Sequence, residues 1–479
     1  MVSEPQGYYF YDLETSGRDP RWHRILQFAG IATDAQLNPL GDPLVLRGAL
    51  PEEILPEPEA MIVTRLTPAR VAVGLGEVEL AQRLQQATAA SDLCLAGYNS
   101  IRFDDEFLRF TFYRALLPPY ERERQRGLRW DLFDTIRAVH ALRPDGIVWP
   151  TDESGASSLR LVTLCAANGI RHEDAHDAAS DVLATLALAR LVRDQQPRLF
   201  AWAVGLRMRQ NVEPLLAIDG REPIVHVSGR VPRARRHAAL VTPLARHPRN
   251  GRARIVFDLD QDPTPLATLS EAEIERRVFS PQAELDEERL LLKEVRTNRT
   301  PFVAPLATLR AEDAQRLEID IGRANARHAW LRARPEIGRK VARVFSRERE
   351  YPKLDADAAL YDGLISDRDR ELCANVHSLA PEALARMAAP FGDARFNTLF
   401  GRFRARNHLA ALSAGEQANW HDWLRLRLGG TLPGPLAMPE FRERLRALRA
   451  APQINAEDAA LLDAWADYAE HLRARLALD

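Results

Sequence analysis

Hydrophobic patterning divides the chain into three textures. In the first, YYFYDLE (8–14), ILQFAGIAT (25–33) and PLVLRG (43–48) are short runs rich in aromatic and β-branched residues. Turn residues separate them, so they predict a strand meander. DLCLAGYN (92–99) predicts another apolar strand, leading at once into a helical segment, FDDEFLRFTFYRALL (103–117). A last helix starts near Asp177 and runs through DVLATLALARLVRD; it is apolar nearly all round, which predicts burial. A meander followed by alternating strand and helix gives an α/β or α+β domain with a mixed sheet over 8–196.

After Gln196 the texture changes. IVHVSGRV (224–231), ALVTPLA (239–245) and RARIVFDLD (252–260) are short strand-like runs punctuated by Gly and Pro, with a turn at 247–251. They predict a second domain over 201–350, with a small β-barrel-like core and helical additions. From 351 to 479, Ala/Leu/Arg/Glu-rich segments such as FRERLRALRAAP and DAALLDAWADYAEHLRARL repeat at helical spacing and predict an all-helical third domain.

Composition narrows the class. The chain has 479 residues, 46% hydrophobic and 28% charged, which is globular and argues against extensive disorder. Its longest strongly apolar stretch, 182–192, is eleven residues and already contains Arg190. That is well short of the about 20 residues a membrane span needs. MVSEPQGYYF has neither the basic nor the apolar region of a secretion signal. Cys94, Cys165 and Cys373 sit apart in apolar contexts, as in a reducing compartment, so a soluble cytoplasmic protein is expected. Net charge is only −2, yet 229–257 holds eight arginines and no acid. A local basic face of this kind attracts phosphate whatever the total.

The chemistry concentrates in scattered acids. Asp12 and Glu14 sit two apart at a strand's end, so period-two geometry puts both carboxylates on one side of the sheet. Like charges so close repel unless a cation lies between them, and hard oxygen ligands suit Mg²⁺ or Mn²⁺. Asp104 follows the strand 92–99 directly; Asp105 and Glu106 beside it read as first-turn charges of a helix. Asp181 lies near the start of the apolar helix, where a carboxylate facing a core is costly unless paired or metal-bound. His176 precedes Asp181 by five residues, an offset of about 140° on one helix. It is therefore better placed on the loop or first turn, leaning into the same cleft. Four acids and a histidine fit two-ion phosphodiester hydrolysis, with the neutral imidazole taking a proton from the attacking water. No Walker A loop, dinucleotide fingerprint, nucleophile elbow or HExxH helix competes.

These elements, Asp12-x-Glu14, Asn99 with Phe103-Asp104, and His176-x4-Asp181, resemble the three motifs of the DEDD exonucleases, histidine subtype. More narrowly, the chain resembles the bacterial exodeoxyribonuclease I family through GYNSIRFDDE, ALRPDGIVWP, AHDAASDV with QPRLF, HVSG, LYDGLISDRDR and FRARN. The resemblance implies an α/β, ribonuclease H-like exonuclease domain, then an SH3-like domain and a helical C-terminal domain, closing a C-shaped groove around one DNA strand. It implies Mg²⁺-dependent 3′→5′ hydrolysis of single-stranded DNA to 5′-mononucleotides, in DNA repair and recombination. Asp12, Glu14 and Asp181 would be the principal ligands of two Mg²⁺ ions, with Mn²⁺ a substitute. Asp104 would hold the second ion and His176 would act on the nucleophile, Glu14 meeting substrate as well. Arg160 would touch the strand near the scissile end, with Arg109, Tyr120 and Arg137 along its path and Arg209, Arg252, Arg299 and Tyr361 contributed by the later domains. A monomer is implied, as is a partner, the acidic tail of single-stranded DNA-binding protein. One departure stands at 120–129, where YERERQRGLR replaces family tryptophans and Arg124 or Arg126 takes the place of stacking.

Two other classes are weighed. Nucleases of the same chemistry acting on RNA ends are much shorter chains, and a non-catalytic strand-binding scaffold predicts a broken acid set.

Overall fold

The computed structural model describes residues 5–88, 93–120, 128–172, 177–347, 352–432 and 434–478. Its first sheet has the order β3-β2-β1-β4-β5, from β1 (Gly7–Thr15), β2 (Ile25–Asp34), β3 (Leu44–Arg47), β4 (Leu93–Gly97) and β5 (Arg129–Asp131). The meander β1–β2–β3 is antiparallel, whereas β4 joins β1 and β5 joins β4 in parallel, so the sheet is mixed as expected. As the middle strand, β1 is covered on both faces, which explains its near-continuous apolar run. Tyr8 and Phe10 pack with the helix face of Val182 and Leu186, and Tyr9, Tyr11 and Leu13 pack with Phe107 and Leu108 on the other side.

Three helices frame the first sheet: α1 (Asp104–Arg114), α2 (Leu132–Leu142) and α3 (Ala178–Gln195). The second sheet is wholly antiparallel, β10-β6-β7-β8-β9, from β6 (Ile224–Val227), β7 (Ala238–His247), β8 (Asn250–Asp258), β9 (Leu292–Arg296) and β10 (Phe302–Pro305). The 247–251 turn closes the β7–β8 hairpin, and α4 (Pro335–Ser346) covers β7. The remainder is helical, ending in α5 (Ala394–His408), α6 (Met438–Arg449) and α7 (Ala456–Leu476). Among the described residues no helix is long and apolar enough to cross a membrane.

Apolar clusters cross from one region to the next. One core runs from β1 and α3 into β6–β8 and α4. Leu55, Met61 and Leu66 from the first region share a core with Phe441, Leu462 and Trp465, and Phe110 and Tyr113 share another with Phe396 and Phe400. Burial of this continuity fixes the walls around the site relative to one another.

Candidate active site

β4 accompanies β1 only as far as Phe10, while β2 continues opposite Glu14. Asp12 and Glu14 therefore project past the parallel neighbour, on the face shared by Tyr8 and Phe10, where α3 crosses. The first turn of α3 brings in Asp181: one carboxylate oxygen from each of Asp12, Glu14 and Asp181 lies within 4.8 Å of the others. Asp177, at the N-cap position of the same helix, accepts a hydrogen bond from Gln27 Nε2 at 2.7 Å, which ties the helix start to β2.

Asp104 opens α1 and is buried. A tight passage out of β4 aims it. A Cβ on Gly97 would meet the Tyr11 carbonyl oxygen at 2.9 Å and the Ser100 Cβ at 2.7 Å, so only glycine fits there. Asn99 takes the left-handed conformation, φ 67°, which asparagine tolerates. Asp131 then holds the loop, accepting from the amides of Asn99 at 2.9 Å, Phe133 at 3.0 Å and Ile101 at 3.3 Å. The backbone of Asp104 itself and of Leu13 partly offsets the rise of the Asp104 carboxyl, which places it beside β1.

Electrostatics show how crowded the acids are. Burial, then the charges of Asp104, Glu14 and Asp181, push Asp12 well above the usual carboxylate range. Glu14 is pushed up to about 9, first by burial and then by Asp181 and Asp104. Asp104 is likewise raised, by burial first, against the pull of its backbone hydrogen bonds. No described arginine or lysine pairs with Asp12, Glu14 or Asp104. Converging oxygen donors without a counter-cation are the donor set of a hard divalent ion, so the group fits a metal.

His176 lies outside the described residues. A histidine that spacing did not single out meets the acids: His172 Nε2 is 2.5 Å from Asp181 Oδ1, with its other nitrogen buried and unpartnered among the described residues. His172 lies nine residues ahead of Asp181, an offset that helical spacing does not mark. Asp105 and Glu106 both sit in the first turn, as expected, and also reach partners beyond it: Asp105 is buried against the Tyr11 hydroxyl (2.6 Å) and Arg129, and Glu106 is bonded to residues far along the chain. Asp131 was equally unmarked; its signal is an acid at a strand's end capping the next helix.

The expected strand contacts divide in two. Arg137, half-sandwiched over Phe133 at 3.6 Å and bonded to Asp134 at 2.6 Å, lines a cavity of about 570 Å³ with Asn99, Arg102, Arg230, Lys293 and Arg299. Gly229 closes this cavity; a Cβ there would come within 3.0 Å of the Arg137 guanidinium. Tyr120 and Tyr361 line a second, more apolar cavity of about 300 Å³, and Arg109 lies 6.0 Å from the Tyr120 ring. Arg160 is exposed at the start of the helix Leu161–Ala167. Arg209, paired with Glu213 at 3.3 Å, and exposed Arg252 line neither cavity. Nor is 229–257 one free basic wall: Arg233 pairs with Asp152 and Arg235 with Asp258, leaving Arg230 at the larger cavity. Arg124 and Arg126 fall outside the described residues.

Comparison with known proteins agrees with this geometry. Residues 9–189 match the Exonuclease family, 207–347 the Exonuclease I SH3-like domain and 354–472 the Exonuclease I C-terminal domain. The chain is 38% identical to exodeoxyribonuclease I of Haemophilus influenzae, over 96% of this chain and 98% of that protein. It is 37% identical to the Escherichia coli exodeoxyribonuclease I, over 97% of each. Among solved structures, a moderately thermophilic exonuclease I from Methylocaldum szegediense superimposes with a TM-score of 0.92 at 41% identity, over 97% of this chain and 99% of that one. E. coli exonuclease I in complex with a dA16 oligonucleotide gives 0.92 at 35%, over 98% and 100%. With its acids gathered on one strand edge and relatives matched over nearly their whole length, the chain belongs to the exonuclease I family.

Proposed function

We propose that this exodeoxyribonuclease degrades single-stranded DNA from the 3′ end in a Mg²⁺-dependent reaction, releasing 5′-mononucleotides, and serves DNA repair and recombination in the cytoplasm. The observation that carries the reading is the convergence of Asp12, Glu14 and Asp181 to within 4.8 Å from two distant segments, with Asp104 close enough to be the foremost neighbouring charge on Asp12. In this reading Asp12, Glu14 and Asp181 are the principal ligands and Asp104 holds the second ion. A pair of divalent ions supplies water activation and stabilisation of the leaving oxygen.

The chain's own residues do the rest. The raised carboxylates of Asp12, Glu14 and Asp104 would release protons on holding divalent cations, whose charge would offset the repulsion among these acids and Asp181. His176 takes the proton from the attacking water, and His172 orients the Asp181 carboxylate through its hydrogen bond. Arg160 neutralises charge developing on the scissile phosphate. Arg109, Tyr120, Arg137, Arg299 and Tyr361 carry the strand behind it by phosphate contact and stacking, with Arg209 and Arg252 farther out. The domains divide at 8–196, 201–350 and 351–479, and the protein acts as a monomer that binds the acidic tail of single-stranded DNA-binding protein.

Digestion of 3′- and 5′-labelled single strands with and without Mg²⁺ tests this. The 3′ label should leave at once as mononucleotide, the 5′ label should leave last, and EDTA should stop both. Early loss of the 5′ label, or cleavage in EDTA, contradicts the proposal.

A further inference from the structure

Glu106 is the meeting point of three distant segments. Its Oε1 accepts from Arg109 Nη1 at 2.6 Å and from Arg299 Nη2 at 3.1 Å, and its Oε2 accepts from the Tyr361 hydroxyl. These partners are 3, 193 and 255 residues away, one on α1, one after β9 and one ahead of the C-terminal helices. The Glu106 and Arg109 side chains are only 13% and 10% exposed, so that pair is shielded from water and salt, while Arg299 and Tyr361 reach it from the exposed side. Arg299 lines the larger cavity and Tyr361 the smaller, so one carboxylate joins the linings of both. Tyr361 is otherwise exposed, with its ring edge-on to Phe110 and ring centroids 5.7 Å apart.

An acid at this place is a cost to a surface that must attract phosphate, since it cancels one of two guanidinium charges. What it returns is order. Arginine side chains lose much rotamer freedom when they grip a phosphate, and a shared carboxylate removes that freedom beforehand. We propose that Glu106 is a positioning residue for the DNA strand: its carboxylate gathers Arg109, Arg299 and Tyr361 into one pre-ordered phosphate-reading cluster that clasps the groove's walls together. The inference rests on the reading that these three residues touch DNA.

Steady-state kinetics on a 3′-labelled single strand test it, with Glu106→Gln, Arg299→Met, the double variant and Tyr361→Phe. Glu106→Gln should raise KM about tenfold, the scale of one lost charge-assisted contact, with kcat within about twofold. Arg299→Met should raise KM alone yet add less than about twofold on top of Glu106→Gln, because both break one unit. Tyr361→Phe, which removes only an exposed hydroxyl, should raise KM less and keeps the test open if Glu106→Gln misfolds. An unchanged or lower KM in Glu106→Gln at wild-type melting temperature overturns the proposal, as do fully multiplicative effects of Glu106→Gln and Arg299→Met. Failure of the wild-type protein to degrade single strands would contradict the functional reading instead.

Discussion

Two of the buried charge clusters among the described residues obey opposite rules. Between the first region and the C-terminal helices, Arg24, Arg114 and Arg406 interleave with Glu53, Glu77 and Asp357. Arg114 Nε donates to Glu77 at 2.8 Å, Arg406 Nε to Glu53 at 2.7 Å and its Nη2 to Asp357 at 2.6 Å. Burial alone would raise Asp357, but Arg406 and Arg402 outweigh it and hold the carboxyl well below the usual range. In the pocket of Asp12, Glu14, Asp104 and Asp181 the same burial meets only more negative charge, and Glu14 rises to about 9. The first cluster satisfies itself and joins parts of the fold; the second is incomplete without a cation. A buried carboxylate is therefore informative about function only once its neighbours' signs are known.

Substitutions can break this contrast. Asp12→Asn should lower cleavage by at least about 10²–10³-fold, the scale of removing one electrostatic stabiliser of a transition state, while metal-free melting is unchanged or higher because repulsion is relieved. Arg406→Ala should do the reverse, costing about 3 kcal/mol of stability by taking one partner each from Glu53 and Asp357 and leaving them only Arg24 and Arg402, as read by denaturant unfolding. His172→Ala should cut turnover about 10–100-fold, as loss of a partner that orients a ligand does, with less effect on DNA binding.

The pH slopes should also oppose each other. Glu14 has a raised folded pKa, so its contribution is present below about 4.5 and is lost as pH climbs toward about 9 in EDTA. Glu14→Gln should flatten that part of the melting-temperature profile, and so should Mg²⁺. Asp357 has a lowered folded pKa, so its contribution is present above the ordinary aspartate value and is lost on acidification, with or without metal. Profiles that do not differ between EDTA and Mg²⁺ would erase the distinction.

The sequence reveals what local periodicity encodes. Strand alternation places Asp12 and Glu14 on one face, and an acid on an apolar helix marks Asp181, because both signals lie within a few residues. The meander, the 247–251 hairpin and the C-terminal helices are legible for the same reason. Glu106 is not, since its partners Arg299 and Tyr361 lie 193 and 255 residues away and a first-turn acid needs no further explanation. His172 escapes notice because it lies nine residues ahead of Asp181, outside helical spacing, and a basic run such as 229–257 cannot show which arginines the fold neutralises.

Asp181→Ala gives the most direct test of the claim that these acids form one metal-holding centre. Binding of a labelled single strand in EDTA should stay near the wild-type level while cleavage in Mg²⁺ disappears. Cleavage surviving at a comparable rate would contradict the account.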